Sequence, residues 1–240
     1  LVDWELMLSA DHVHSALRDL VDEHWASVLP LLLDDFQQLL RDALDLLREL
    51  GAADNRSDRS HWDLPSVTHH WQNRGFHDWV SLIELLRDAW LAVRTNDSAH
   101  ASRIAKNWFE FPYPTFKRLA FFAASQDGCI PTEKWVDWLL ADGAWWLWST
   151  DTGREVFRLF VLQGQHLVGA TQERLEVAIL AGPPREMYRD DLEEDRAIRE
   201  QVDGEIAVVR VVGQHGLRGR PGRCPEEERD GPVGGAGEVV

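Results

Sequence analysis

Apolar side chains return at intervals of three and four up to about Asp203, and no segment sustains an alternation of apolar with polar residues. That spacing belongs to one face of an α-helix and not to a pleated strand, so the chain must bury its core by packing helices on helices. Over 9–29 the face is Val13, Leu17, Leu20, Val21, Trp25, Val28 and Leu29, with Ser9 and Asp11 at the helix start. Pro30 ends this helix and opens 31–50, where Leu32, Phe36, Leu39, Leu40, Ala43, Leu44, Leu47 and Leu50 form a broad stripe closed by Gly51. A proline at the start and a glycine just past the end are the usual helix punctuation. The two helices are expected to make an antiparallel hairpin.

Residues 52–74 are polar and carry Trp62, Pro65, His69 and His70; they read as a linker. Helical spacing resumes at Phe76, Trp79, Val80, Ile83, Leu86, Trp90 and Val93, and Asn96 and Asp97 break it and cap a shorter helix with Ile104, Trp108 and Phe109. Phe111-Pro112 and Tyr113-Pro114 push the next helix start to Pro114, because a residue before proline avoids the helical region. Gly128 stops that helix, Pro131 and Thr132 open another that runs through Asp142 and stops at Gly143, Asp151 or Thr152 caps the one after it, and the last runs from about Thr171 to Ala181 before Gly182. The expected fold is all-α: antiparallel helical hairpins forming a helical-repeat array or irregular bundle. Its divisions are a hairpin (1–51), a linker (52–74), a tryptophan-rich array (75–203) and a disordered glycine-rich tail (204–240). An echo of Trp79-Val80 and Leu85 to Trp90 in Trp135-Val136 and Leu139 to Trp145 is what a divergent helical repeat would leave.

Twelve tryptophans in 240 residues are the chain's compositional excess. Each buried aromatic removes roughly 150 to 250 Å² from water, so a few can anchor a helical array. Trp145, Trp146 and Trp148 fall within four residues of one another. Three tryptophans so close together cannot all face one core, and they are the expected contact with a protein partner or with other domains of a parent protein.

The function classes that composition disfavours follow from charge. There are 41 acidic and 25 basic side chains, a net charge of -16 that would repel a nucleic acid unless one face were locally basic, and no such face is visible. No apolar run approaches the roughly 18 residues of a membrane span. With Cys129 and Cys224 as the two cysteines there is no disulfide framework or zinc pattern, and a reducing cytoplasm is expected. No glycine-rich phosphate loop and no nucleophile elbow occur, so neither a cofactor nor a catalytic residue is assigned. Cys129, between Gly128 and Ile130, reads as an ordinary residue at a helix junction. His12 and His14 diverge by about 200° on a helix and cannot chelate one ion together. The alternative to a recognition module is a helical metal-dependent hydrolase using His69 or His70 with His77 and Asp78. The acidic run Asp190, Asp191, Glu193, Glu194 and Asp195 reads as a solvated helix face.

From Gly204 to Val240 nine of the 17 glycines occur with no aromatic residue, a composition that fits either a disordered tail or read-through of a GC-rich gene in a shifted frame. The stretch 111–188 carries Phe111-Pro112-Tyr113-Pro114-Thr115-Phe116, Trp135-Val136-Asp137-Trp138, Trp145-Trp146-Leu147-Trp148 and Ala181-Gly182-Pro183-Pro184. It resembles the helical C-terminal regions of large bacterial anti-phage defence proteins that bear a SIR2-like or nuclease effector. The resemblance implies a sensor or scaffold role, carries over no active-site residue, and implies that the chain is a fragment of such a gene.

Overall fold

The computed structural model describes residues 23–70, 72, 73 and 78–188. Most of the 9–29 helix, with His12 and His14, lies outside the described residues, as do Phe76, His77, the acidic run 190–195 and the tail 204–240. Among the described residues all regular structure is helical.

The helices are α1 (Glu23–Val28), α2 (Leu33–Glu49), the single turn α3 (Ser60–Asp63), α4 (Ser81–Asn96), α5 (Ser98–Glu110), α6 (Pro114–Ala124), α7 (Thr132–Trp148), α8 (Gly153–Gln163) and α9 (Gly169–Ala181). Their ends follow the local chemistry. Pro30 sits in the first turn of a 3₁₀ segment, Leu29–Leu32, that leads into α2. Asp97 caps α5 by accepting from the His100 amide at 2.8 Å, and α6 starts at Pro114 after an extended Tyr113. Gly51, Gly128 and Gly182 take φ of 73°, 67° and 79° where α2, α6 and α9 have ended, a conformation that costs any residue with a Cβ.

The main departure from helix punctuation lies inside α7. Asp142, Gly143 and Ala144 have φ of 52°, 70° and 66°, so the helix breaks and restarts for Trp145 to Trp148. The sequence spacing predicts a stop at Gly143, and the structure turns that stop into a break bridged by three left-handed residues.

α6 is buried along its whole length, with α4, α5, α8 and the turn α3 packed around it. The core around it is aromatic. Phe109 lies parallel to Trp138 with 4.9 Å between centroids, and Trp90 meets Trp108 at 5.9 Å and the edge of Phe122 at 6.1 Å. The buried indoles of Trp90 and Trp108 donate to the Ala101 carbonyl at 2.9 Å and to Gln37 Oε1 at 2.8 Å. Leu40 and Leu44 of α2 belong to the same apolar cluster as Trp90, Trp108 and Trp135. Residues 52–70, expected as a linker, bury Leu64 and Val67 in that cluster and so strap α2 to α4 within one core. The two halves of the internal echo occupy different places: Trp79 lies in a 3₁₀ turn before α4, and Trp135 lies inside α7.

Candidate functional site

The tryptophan cluster after the break in α7 is more closed than the sequence reading expects. Trp146 is 2% exposed and its indole N–H donates to Asp142 Oδ2 at 2.9 Å, a bond that reaches back across the break. Trp145 is half-buried beneath the Arg56 guanidinium, 3.9 Å from its ring centroid, and Arg56 donates onward to Glu186 Oε2 at 2.8 Å. Trp148 is half-buried against the core, and the N–H groups of Trp145 and Trp148 are enclosed with no acceptor among the described residues. A broken helix can aim all three rings inward, which an unbroken one cannot. Arg56 would have to move before a partner could reach Trp145.

Lys117 lies under the same cluster, its Nζ 4.2 Å from the Phe109 ring and 5.4 Å from that of Trp146, donating to the Phe109 carbonyl. Burial pulls its pKa below the ordinary lysine value against the opposing charges of Asp142 and Glu110. Burial likewise pushes the Cys129 thiol up, although Arg94 and Lys106 oppose it, so Cys129 stays a protonated thiol and is not an activated nucleophile.

The histidines proposed as metal ligands are committed to other partners. His69 Nε2 lies 3.6 Å from Asp88 Oδ1, and its Nδ1 lies 3.4 Å from the Arg87 guanidinium. His70 Nδ1 accepts from the Gln72 amide at 3.2 Å. Arg87 also grips both Asp88 oxygens, at 2.7 and 3.0 Å, and donates to the Val67 carbonyl at 2.8 Å. Burial alone would raise the Asp88 pKa; the hydrogen bonds from His69 and Arg87 outweigh it and hold the carboxyl below its usual value. His77 and the side chain of Asp78 lie outside the described residues. Among the described residues no three histidine, cysteine, aspartate or glutamate side chains are grouped to hold a metal ion.

One constellation outwardly resembles a catalytic triad. His61 Nδ1 lies 3.1 Å from Asp151 Oδ1, and the Ser57 hydroxyl donates to the same oxygen at 3.4 Å. Here the acid stands between serine and histidine. Nucleophilic catalysis needs the histidine in that middle place, so this arrangement anchors the strap to Asp151 and activates no hydroxyl.

A deeper anchor holds the rest of the strap. Arg118 and Glu155, 1% and 2% exposed, meet through Nε to Oε2 at 3.1 Å and a second bond to Oε1 at 3.2 Å. Arg118 also donates to the Ser60 hydroxyl at 3.0 Å and the Leu64 carbonyl at 2.5 Å, while Glu155 Oε1 accepts from the Val67 amide at 2.8 Å. Asp58 completes the set by accepting from the Thr115 amide at 2.7 Å and the Ser60 amide at 3.0 Å. Every nitrogen and oxygen of the ion pair has a partner within the protein, so the pair is a structural fastening of the strap.

An open cleft of about 240 Å³ between the 3₁₀ segment before α2, the end of α4 and the start of α5 is lined by Pro30, Leu31, Val93, Asp97 and His100. Its Asp97 carboxylate is already occupied in capping α5.

Several large apolar side chains are exposed, among them Leu31, Val168, Val177 and Leu180 at 77%, 72%, 68% and 61%. Leu39, Leu46 and Leu50 on α2 are 52%, 52% and 53% exposed. Trp62 is 74% exposed, with the His61 ring 5.0 Å from its own. The α2 leucines were visible in the sequence as part of one broad stripe. The missed signal was its width: positions 33, 40 and 44 and positions 39, 46 and 50 lie about 120° apart around the helix, too wide for one packing interface. Trp62 was assigned to the linker, and its exposure had no sequence signature. Comparison of the chain with protein-family models, curated proteins and solved structures gives no match.

Proposed function

We propose that the chain is a non-enzymatic recognition or scaffold module that meets a protein partner, or other domains of a parent protein, through the outer face of α2. The observation that carries this reading is the exposed row Leu39, Leu46 and Leu50 on a helix whose other face is fully used by the core. A half-exposed leucine forgoes on the order of 1 kcal/mol of burial, and three aligned on one helix concentrate that loss where a docking helix recovers it.

Two further features support the reading. The buried polar groups that could serve chemistry, Arg118, Glu155, Asp58 and Asp151, are consumed in fastening the strap. The resemblance of 111–188 to helical regions of anti-phage defence proteins, which none of the comparisons matches, would imply the same class of role, a sensor or scaffold beside an effector. Among the described residues no helix is long and apolar enough to cross a membrane.

A photo-crosslinking residue placed at position 46, in cells that make the protein natively, should give a discrete adduct of higher mass. The same residue at Asn107, exposed on α5, should give none. Equal labelling at both positions would show that α2 has no privileged contact.

A further inference from the structure

The outer face of α2 carries more information than its leucines. Leu39, Ala43, Leu46 and Leu50 follow one another at intervals of four, three and four, the a and d spacing of a heptad seam. Along one flank, at the position preceding each a residue, stand Asp35, Asp42 and Glu49, all exposed. Along the other flank stand Leu33, Leu40 and Leu47, turned toward the core. The basic residues of this helix lie elsewhere: Arg41 and Arg48 reach over the Phe111 and Tyr113 rings, at 5.5 and 5.4 Å, on the side away from the seam.

Resting on the recognition reading above, we infer that the α2 seam docks an amphipathic helix of another protein, whose seam is bordered by lysine or arginine. Charge decides between the possible occupants. A second copy would bring its own Asp35, Asp42 and Glu49 to the interface and add to a net charge of -16 on each chain. The chain's own first 22 residues hold five acidic side chains and one arginine, the wrong sign for this flank. A basic border faces all three carboxylates at once, with Gln38 Nε2 already donating to Asp42 Oδ1 at 2.7 Å, and the seventeen residues of α2, about 25 Å long, offer room for two to three heptads.

The test uses the full chain and a fluorescently labelled synthetic helix of about three heptads, with leucine at every a and d position and lysine at every e and g. Its counterpart carries glutamate in place of each lysine. Anisotropy titrations should show the lysine peptide binding at least about tenfold more tightly than the glutamate peptide. The double substitution Leu39→Ala and Leu46→Ala should weaken the lysine peptide by about twentyfold, and both sites are exposed enough to leave the melting temperature unmoved. Asp42→Lys with Glu49→Lys should reverse the preference.

Binding that survives the leucine substitutions is unspecific attraction to an acidic chain and overturns both this inference and the recognition reading. Binding that is lost with the leucines but keeps its preference after charge reversal overturns the basic-border inference alone. A dimer that dissociates on Leu46→Ala would make a second copy the occupant. A tenfold gain in peptide affinity on deleting residues 1–22 would make that segment the occupant, and either result refutes the proposal.

Discussion

At the scale of single residues, Arg118 and Glu155 show what the polar groups of this protein are for. Removing one partner leaves the other charged in a dry interior, so Arg118→Ala should lower stability by about 3 to 5 kcal/mol in urea denaturation. Replacing the pair together, Arg118→Met with Glu155→Leu, should recover much of that loss; a double variant as weak as the single would mean that the bonds to Ser60, Leu64 and Val67 outweigh the ion pair. Lys117 predicts a pH dependence. Its folded pKa is lowered, so the unfolded chain binds the proton more tightly, and stability should rise as pH climbs toward 10.5. Lys117→Met should flatten that rise in a series of thermal melts. Asp88 works at the other end: its folded pKa is also lowered, but for a carboxylate this contributes stability above 3.8 that is lost as pH falls through the folded value. Asp88→Asn should therefore cost stability at neutral pH and lose nothing further in acid through this group. None of these partnerships was legible in the sequence, because Arg118 and Glu155 are 37 residues apart and Asp58 meets Thr115 across 57. Side-chain pairing across such separations depends on how the helices stack.

At the scale of elements, the sequence was legible where punctuation is local. Asp97, Pro114 and Gly182 end or begin helices as their chemistry predicts, since capping and φ preferences act within a turn, whereas α6 ends at Ala124, ahead of the Gly128 expected to stop it. The break in α7 was half legible. Gly143 marked it, but Asp142 and Ala144 do not advertise a left-handed backbone, which here lies between the buried Trp138 before the break and the buried Trp146 after it. Ala144 at φ 66° carries a steric cost of roughly 1 kcal/mol that glycine does not. Ala144→Gly should raise stability by up to about that amount, and a loss of stability would mean that the alanine methyl, packed against the core, is worth more than the strain. For α2 the 3.6-residue period identified the helix but not its two faces, because a stripe that broad fits either a deeply sunken helix or one that shares itself between a core and a partner.

At the scale of the whole molecule, the all-α fold follows from apolar spacing alone, whereas the union of α2, the strap and the tryptophan-bearing helices in one core does not. Polar residues 54–60 read as a linker because composition reports solubility and not hydrogen bonding; Asp58 and Ser60 are buried precisely as partners of other elements would be, and Leu64 and Val67 follow them into the core. Unfolding should accordingly be a single transition, with circular dichroism and tryptophan fluorescence sharing one urea midpoint, and Leu64→Ala should shift both by the same 2 to 5 kcal/mol or so. Two separated midpoints would divide the strap and α2 from the rest. The functional account stands on a narrower claim, that the molecule acts through the outer face of α2 and not through Trp145, Trp146 and Trp148. Hydrogen exchange of the full chain with and without the lysine-bordered helix tests this most directly: added protection should be confined to residues 33–50, and protection that appears instead at 145–148, or uniformly along the chain, would contradict it.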